Sequence, residues 1–278
     1  MKRIILLIVS VLIVSVVHAR QNDTLRVLAI GNSFSEDAVE DHLYSLAANE
    51  GVTLVIGNMY IGGCSLERHA GNMKGDKPAY HYRKVSADGK KTAVPEYTLA
   101  KALIDEDWDY VSLQQSSPLS GKKETYFPYL QELVDYISAE CPDAEIIFHM
   151  TWAYDKETGH RAFPDYDSDQ VKMYEAILTS VAYAVDKVGI ERVIPAATAI
   201  QNARTTALED KVHKPDGYHL SIPHGRYIAG CVWCEYLLGK NVTGNAYVAD
   251  GMTPEECRLA QKAAHAAVRR PAKVTRIK

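Results

Sequence analysis

The sequence predicts an α/β protein: a parallel sheet of five strands, covered by helices on both faces, with one inserted β-hairpin. Three observations carry that prediction. Short, nearly continuous apolar runs alternate with segments of helical period, the pattern of strands buried on both faces. Gly, Pro and Asp residues punctuate the transitions. No linker rich in Pro, Gly or Ser and no internal repeat divides the chain, so residues 20–278 are expected to form one domain.

Residues 1–19 read as a signal peptide. Lys2 and Arg3 open it, Ile4 to Val17 is apolar apart from Ser10 and Ser15, and Val17-His18-Ala19 offers small residues where a signal peptidase reads. The apolar run is about 14 residues, short of the roughly 20 that span a bilayer. No Cys follows it, so a lipoprotein anchor is not indicated. The expectation is an exported protein, periplasmic or secreted, with no stable membrane span after processing.

The first strand, Leu25–Ile30, empties into Gly31-Asn32-Ser33-Phe34-Ser35. A helix is predicted over Glu36–Glu50, stopped by Gly51, and a second buried strand over Val52–Met59. Tyr80–Val85 and Lys90–Val94 flank an Asp88-Gly89 turn and predict the hairpin, an insertion of about residues 79–95 that is either a wall or flap over the ligand crevice or a solvated surface hairpin. A short helix at Leu99–Ile104 leads to a third strand at Tyr110–Gln114. A helix from about Tyr126 to Ala139 is stopped by Cys141-Pro142, and Glu145–Met150 is the fourth strand. The clearest helix is Asp169–Val188: Val171, Tyr174, Leu178, Val181, Val185 and Val188 share one face, and Gly189 ends it. Arg192–Pro195 gives a short fifth strand, and Pro223–Leu238 and Pro254–Val268 are the closing helices.

Composition narrows the function classes. The formal charge is −4, from 31 Lys and Arg against 35 Asp and Glu, and becomes −6 without Lys2 and Arg3. The basic residues form no stripe, so the electrostatic footprint of a nucleic-acid binder is missing. Five cysteines (Cys64, Cys141, Cys231, Cys234 and Cys257) leave at least one thiol unpaired. Cys231-Val232-Trp233-Cys234 has the spacing of a redox motif but lies inside a helical apolar pattern, so a buried, inert pair is expected. No Cys/His spacing suggests structural zinc.

Two segments carry chemistry. The Gly31–Ser35 turn delivers Ser33 between a strand and a helix. Near the other end, Lys214-Pro215-Asp216-Gly217-Tyr218-His219-Leu220-Ser221 sets an Asp three residues before a His. These are the groups nucleophilic acyl transfer needs: Ser33 as nucleophile, His219 as its base, and Asp216 to fix the tautomer of His219. Helix capping is the competing role for Ser33, and Ser35, ahead of Glu36 and Asp37, is better placed for it. An acyl oxyanion also needs preorganised donors. The Ser33 N–H is one candidate. Gly62-Gly63, in Tyr60–Ser65 after the second strand, offers another, and Gln114 or Gln115 ends the third strand; alternation alone does not choose between the glutamines. Trp152, Gln115 and Tyr82 are candidate substrate-binding residues.

With Ser, Asp and His in this order, and Leu-Ser after the His, the chain resembles the SGNH (GDSL-like) hydrolases from about Leu25 to the helix after Ser221. The resemblance implies a flavodoxin-like three-layer α/β/α sandwich and a Ser33–His219–Asp216 triad. It also implies an oxyanion hole of the Ser33 amide, Gly63 and Gln114, with no metal or organic cofactor. Asn32 stands where many relatives carry Asp, at a position that shapes the turn. Gln114 stands where many carry Asn, as in the carbohydrate-esterase-like branch. The implied activity is an exported serine esterase that releases small acyl groups, acetyl foremost, from a small-molecule or glycan ester. The rival readings are a catalytically silent carbohydrate- or envelope-binding protein and a lipid or thioester hydrolase. The intact Ser/Asp/His set argues against the first, and the Tyr-, His- and Arg-bearing hairpin against an apolar acyl groove.

Overall fold

A computed structural model describes residues 24–278; the segment expected to be a signal peptide, residues 1–19, lies outside the described residues. Seven strands form one sheet: β1 (Thr24–Gly31), β2 (Thr53–Tyr60), β3 (Tyr80–Val85), β4 (Lys91–Tyr97), β5 (Tyr110–Leu113), β6 (Glu145–His149) and β7 (Arg192–Ile194). Their order is β4-β3-β2-β1-β5-β6-β7. The five strands expected from the apolar runs pair in parallel, and β3 and β4 add antiparallel at one edge. Val27, Leu28, Ala29 and Ile30 of the central β1 are at most 1% exposed, as a strand covered on both faces requires. β1 pairs with β2 on one side and β5 on the other, so the order reverses between β1 and β5. A crevice opens at the carboxyl ends of strands at such a point.

The hairpin lies elsewhere than expected. It does not stand over the crevice but continues the sheet beyond β2, with Met59 opposite Tyr82 and Tyr60 opposite His81. The physical reason is the bare edge β2 would otherwise present. β4, now outermost, is almost wholly exposed, and its Lys91 and Pro95, with a register shift against β3, discourage further pairing.

Nine helices are described: α1 (Ser33–Val39), α2 (Leu43–Asn49), α3 (Leu66–Lys74), α4 (Leu99–Leu103), α5 (Tyr129–Glu140), α6 (Gln170–Val188), α7 (Ala196–Ala203), α8 (His224–Leu238) and α9 (Pro254–Arg269). The single helix expected over 36–50 is two. It breaks where Glu40 accepts from Asn58 at 2.6 Å and Asp41 pairs with Arg226 at 2.6 Å. α3 and α7 had no sequence signal. α3 is polar over most of its length, burying Leu66, His69, Ala70 and Asn72, and α7 is buried throughout; each is shorter than the roughly 11–18 residues over which a helical period can be read. α1, α2, α7, α8 and α9 pack together as one layer, and α3 to α6 form the other. No helix among the described residues is long and apolar enough to cross a membrane.

Gly57 of β2 leaves no room for a side chain. A Cβ there would lie 2.7 Å from Leu28 Cδ1 and 2.8 Å from the Trp108 ring. Gly57→Val is therefore expected to cost about 2–3 kcal/mol, read as a lower midpoint in urea unfolding with an unchanged slope.

Candidate active site

The site is assembled at the end of β1. Asn32, extended at φ −147°, caps α1: its Oδ1 accepts from the Phe34 amide at 2.9 Å, so the helix starts at Ser33. Capping thus falls to Asn32 rather than to the expected Ser35, whose hydroxyl lies 2.7 Å from the Asn32 carbonyl and 2.8 Å from Asn58 Oδ1. The Asn32 side chain does more. Its Nδ2 donates to the Cys64 carbonyl at 3.0 Å, and its Oδ1 also accepts from Gln114 Nε2 at 2.9 Å. Gln114 Oε1 in turn lies 2.9 Å from His149 Nδ1. Burial drives the His149 imidazole down to about 3, so the ring is neutral and Nδ1 is the donor to Gln114. One line of hydrogen bonds therefore crosses the ends of β1, β5 and β6 and the loop after β2. Gly31 makes room for it, since a Cβ there would sit 2.9 Å from Gln114 Cδ.

The Asp-His loop is wound as tightly. Asp216 Oδ1 accepts from the Tyr218 and His219 amides, each at 3.0 Å, while Oδ2 meets His219 Nδ1 at 2.8 Å. Burial raises the Asp216 pKa, but those amides and the imidazole outweigh it and hold the carboxyl below its usual range. Gly217 has φ +75°, and a Cβ there would lie 2.7 Å from Thr158 Cβ, so only glycine fits. The segment after β6 clamps this turn: Thr158 Oγ1 donates to the Asp216 carbonyl at 2.8 Å, and the Asp155 amide to the Gly217 carbonyl at 2.7 Å. Trp152 Nε1 donates to the Tyr218 carbonyl at 2.9 Å.

Ser33, Gly63 and His219 line one cleft of about 290 Å³, with Tyr60, Ser117 and His160 among its other walls. Gly63 has φ +61°. The structure thus brings together the serine, the histidine with its aspartate, and the second-block glycine. It does not bring the remaining candidates to the cleft. Gln114 lies beneath the turn, 1% exposed, donating to Asn32 and accepting from His149. Gln115 Oε1 accepts from the Leu66 and Ser116 amides and its Nε2 donates to the Thr125 carbonyl, so it pins the start of α3. Trp152 is buried, stacked on Phe34 at 4.3 Å and 6°. Tyr82 sits on the hairpin with its hydroxyl on Asp105 at 2.7 Å.

Asp37 and His160 went unmarked in the sequence. Asp37 Oδ2 accepts from the Leu220 amide at 2.8 Å and Oδ1 faces Arg226 at 2.5 Å, tying α1 to the residue after His219. Burial pushes Asp37 up to about 6, outweighing the pull of Arg226. Its partner lies 183 residues away, a meeting no local pattern announces. His160 sits in an irregular segment without periodicity; only its place after the fourth strand was a signal. All five cysteines are free thiols, and burial pushes Cys64 and Cys234 up to about 12. Among the described residues no group of His, Cys, Asp and Glu is arranged to hold a metal ion.

A family model described as "Domain of unknown function (DUF4886)" matches residues 26–267. The crystal structure of a DUF4886 family protein from Bacteroides uniformis is 50% identical, covers 91% of this chain and 98% of that one, and superposes with a TM-score of 0.90. A candidate SGNH hydrolase from Slackia heliotrinireducens is 20% identical, with 77% of this chain and 99% of that one covered, at a TM-score of 0.52. A mutant of Axe2, an acetyl-xylooligosaccharide esterase from Geobacillus, is 12% identical over 77% of this chain and 94% of its own, at 0.50. The last two show an SGNH-like fold. No curated protein matches the chain.

Two outcomes are expected from this geometry. Gln114→Leu strands the Asn32 and His149 partners in the interior and should lose about 2–3 kcal/mol, measured by urea unfolding. Asp37 holds its proton more tightly folded (about 6) than unfolded (3.8), so the stability that gives is present below 3.8 and lost as pH rises through about 6. Asp37→Asn, which keeps an acceptor for Leu220 but cannot ionise, should gain Tm relative to the native chain over that rise. Parallel melting curves from pH 4 to 8 check it; a constant difference would contradict it.

Proposed function

We propose that this chain, which belongs to the DUF4886 family, is an exported serine esterase that removes small acyl groups, acetyl foremost, from carbohydrate esters. One observation carries the chemistry: the 2.8 Å contact of Asp216 Oδ2 with Nδ1 of a His219 that shares its cleft with Ser33. With Nδ1–H given to Asp216, Nε2 of His219 is left as the base. It takes the Ser33 hydroxyl proton as Oγ attacks the acyl carbon, and the carbonyl oxygen becomes an oxyanion. The backbone N–H groups of Ser33 and Gly63 are the donors for that oxyanion. In this reading Gln114 acts through Asn32, holding the turn rather than touching the oxyanion. His219 then passes its proton to the departing alkoxide, and a water, deprotonated by the same ring, hydrolyses the acyl-enzyme.

The substrate class rests on the size and lining of the cleft and on a protein that shares the fold. A cleft of about 290 Å³ accommodates a short acyl group and not a long chain, which favours small esters over lipid. Its Tyr60, Ser117 and His160 walls are polar, which suits a hydroxylated alcohol half. Axe2, which shares the fold, acts on acetyl-xylooligosaccharides. Export rests on residues 1–19; mass spectrometry of the secreted or periplasmic form should find a new N-terminus after Ala19.

Hydrolysis of para-nitrophenyl acetate tests the chemistry. Ser33→Ala should abolish acyl-enzyme formation, and Asp216→Asn should lower kcat by about 10³–10⁴-fold. Turnover should fall as the acyl chain lengthens beyond butyrate. A native chain inactive on short, long and sugar-linked esters, yet binding glycans, would replace this reading with that of a silent carbohydrate-binding protein.

A further inference from the structure

We propose that His160 determines specificity: it presents a neutral N–H donor to an oxygen on the alcohol half of the ester, so the preferred substrate is the ester of a polyhydroxylated alcohol. The inference rests on the esterase reading above and goes on to assign one side of the cleft.

The side follows from the chemistry of His219. In an acyl transfer the base that deprotonates the serine must next protonate the leaving oxygen, so the alcohol half sits beside that ring. The wall on that side is aromatic and continuous. The Tyr218 ring lies 4.3 Å from the His219 ring, and the His160 ring lies 4.9 Å from Tyr218, edge to face. Tyr154 supports His160 from behind at 4.6 Å. His160 also lines the cleft and makes no salt bridge among the described contacts, although the Asp216 charge reaches it and opposes the lowering of its pKa.

The tautomer follows from the backbone. His160 Nδ1 lies 3.2 Å from the Ala162 amide nitrogen, an N–H that only a bare ring nitrogen can accept. The neutral ring therefore carries its proton on Nε2, and two aromatic neighbours fix its plane. Burial first, then the charges of Arg161 and His219, lower its pKa, so the ring remains neutral where the esterase would work. A neutral N–H suits a hydroxyl or ether oxygen, the acceptors that a sugar or polyol offers in number. A simple alkyl alcohol gives it nothing to hold beyond the ester oxygen itself.

The test compares the native protein, His160→Phe and His160→Gln on three esters: para-nitrophenyl acetate, an acetylated methyl glucoside and glycerol monoacetate. His160→Phe should lower kcat/KM on the acetylated glucoside about tenfold, mainly through KM, and leave para-nitrophenyl acetate within about twofold. His160→Gln, which still donates an N–H, should recover part of the loss. An equal loss on glycerol monoacetate would assign the donor to polyols in general; a smaller one would assign it to a sugar ring. An equal fall on all three esters would reduce His160 to scaffolding and overturn the proposal. So would a native protein that cleaves para-nitrophenyl acetate but neither hydroxylated ester, which would leave the esterase reading standing. Native inactivity on all three would overturn both.

Discussion

The site depends on one line of hydrogen bonds drawn across the grain of the sheet: His149 to Gln114, Gln114 to Asn32, Asn32 to the Cys64 carbonyl. Strands are tied to one another along their length by their own ladders, but their carboxyl ends fan apart where the sheet twists. A buried side-chain amide there is costly unless its partners are supplied. Here the donors and acceptors alternate in one direction, so each link fixes the orientation of the next. Asn32 is where the line meets the backbone, and it sets the conformation of the turn that presents Ser33.

A second set of contacts joins this end of β1 to the Asp-His loop. Trp152 stacks under Phe34 and donates to the Tyr218 carbonyl, so one side chain supports the residues next to both Ser33 and His219. Asp37, one turn beyond Ser33, does the same through Leu220 and Arg226. Neither Trp152 nor Asp37 lines the cleft. Both set how Ser33 and His219 stand to each other, which is the quantity a concerted proton transfer is most sensitive to.

Much of the frame was legible because it is written locally. The β1 run, the Asp88-Gly89 turn and the capped α6 each carry their signal within a few residues, and Asp216-x-x-His219 is a contact between near neighbours. What the sequence hid is what burial or distance controls. α7 is buried on all sides and too short for its period to stand out; Asp37 finds its partner 183 residues on. Gln114 and Gln115 were legible as polar residues ending a buried strand, which must find partners. Their partners turned out to be the scaffold, because both point into the protein and neither into the cleft. The hairpin was predicted as an element and misplaced as a neighbour, since pairing with the β2 edge is a tertiary choice.

The distance between Ser33 and the Asp-His loop has a temporal meaning. The serine directly follows the first strand of the sheet, and its base lies in a loop that follows all seven strands. Contacts of such long range form late in folding. A half-made chain therefore displays the serine with nothing to activate it, and any cut that frees the last quarter of the molecule returns it to that state. On the proposed reading the chain is its own precursor until it has closed.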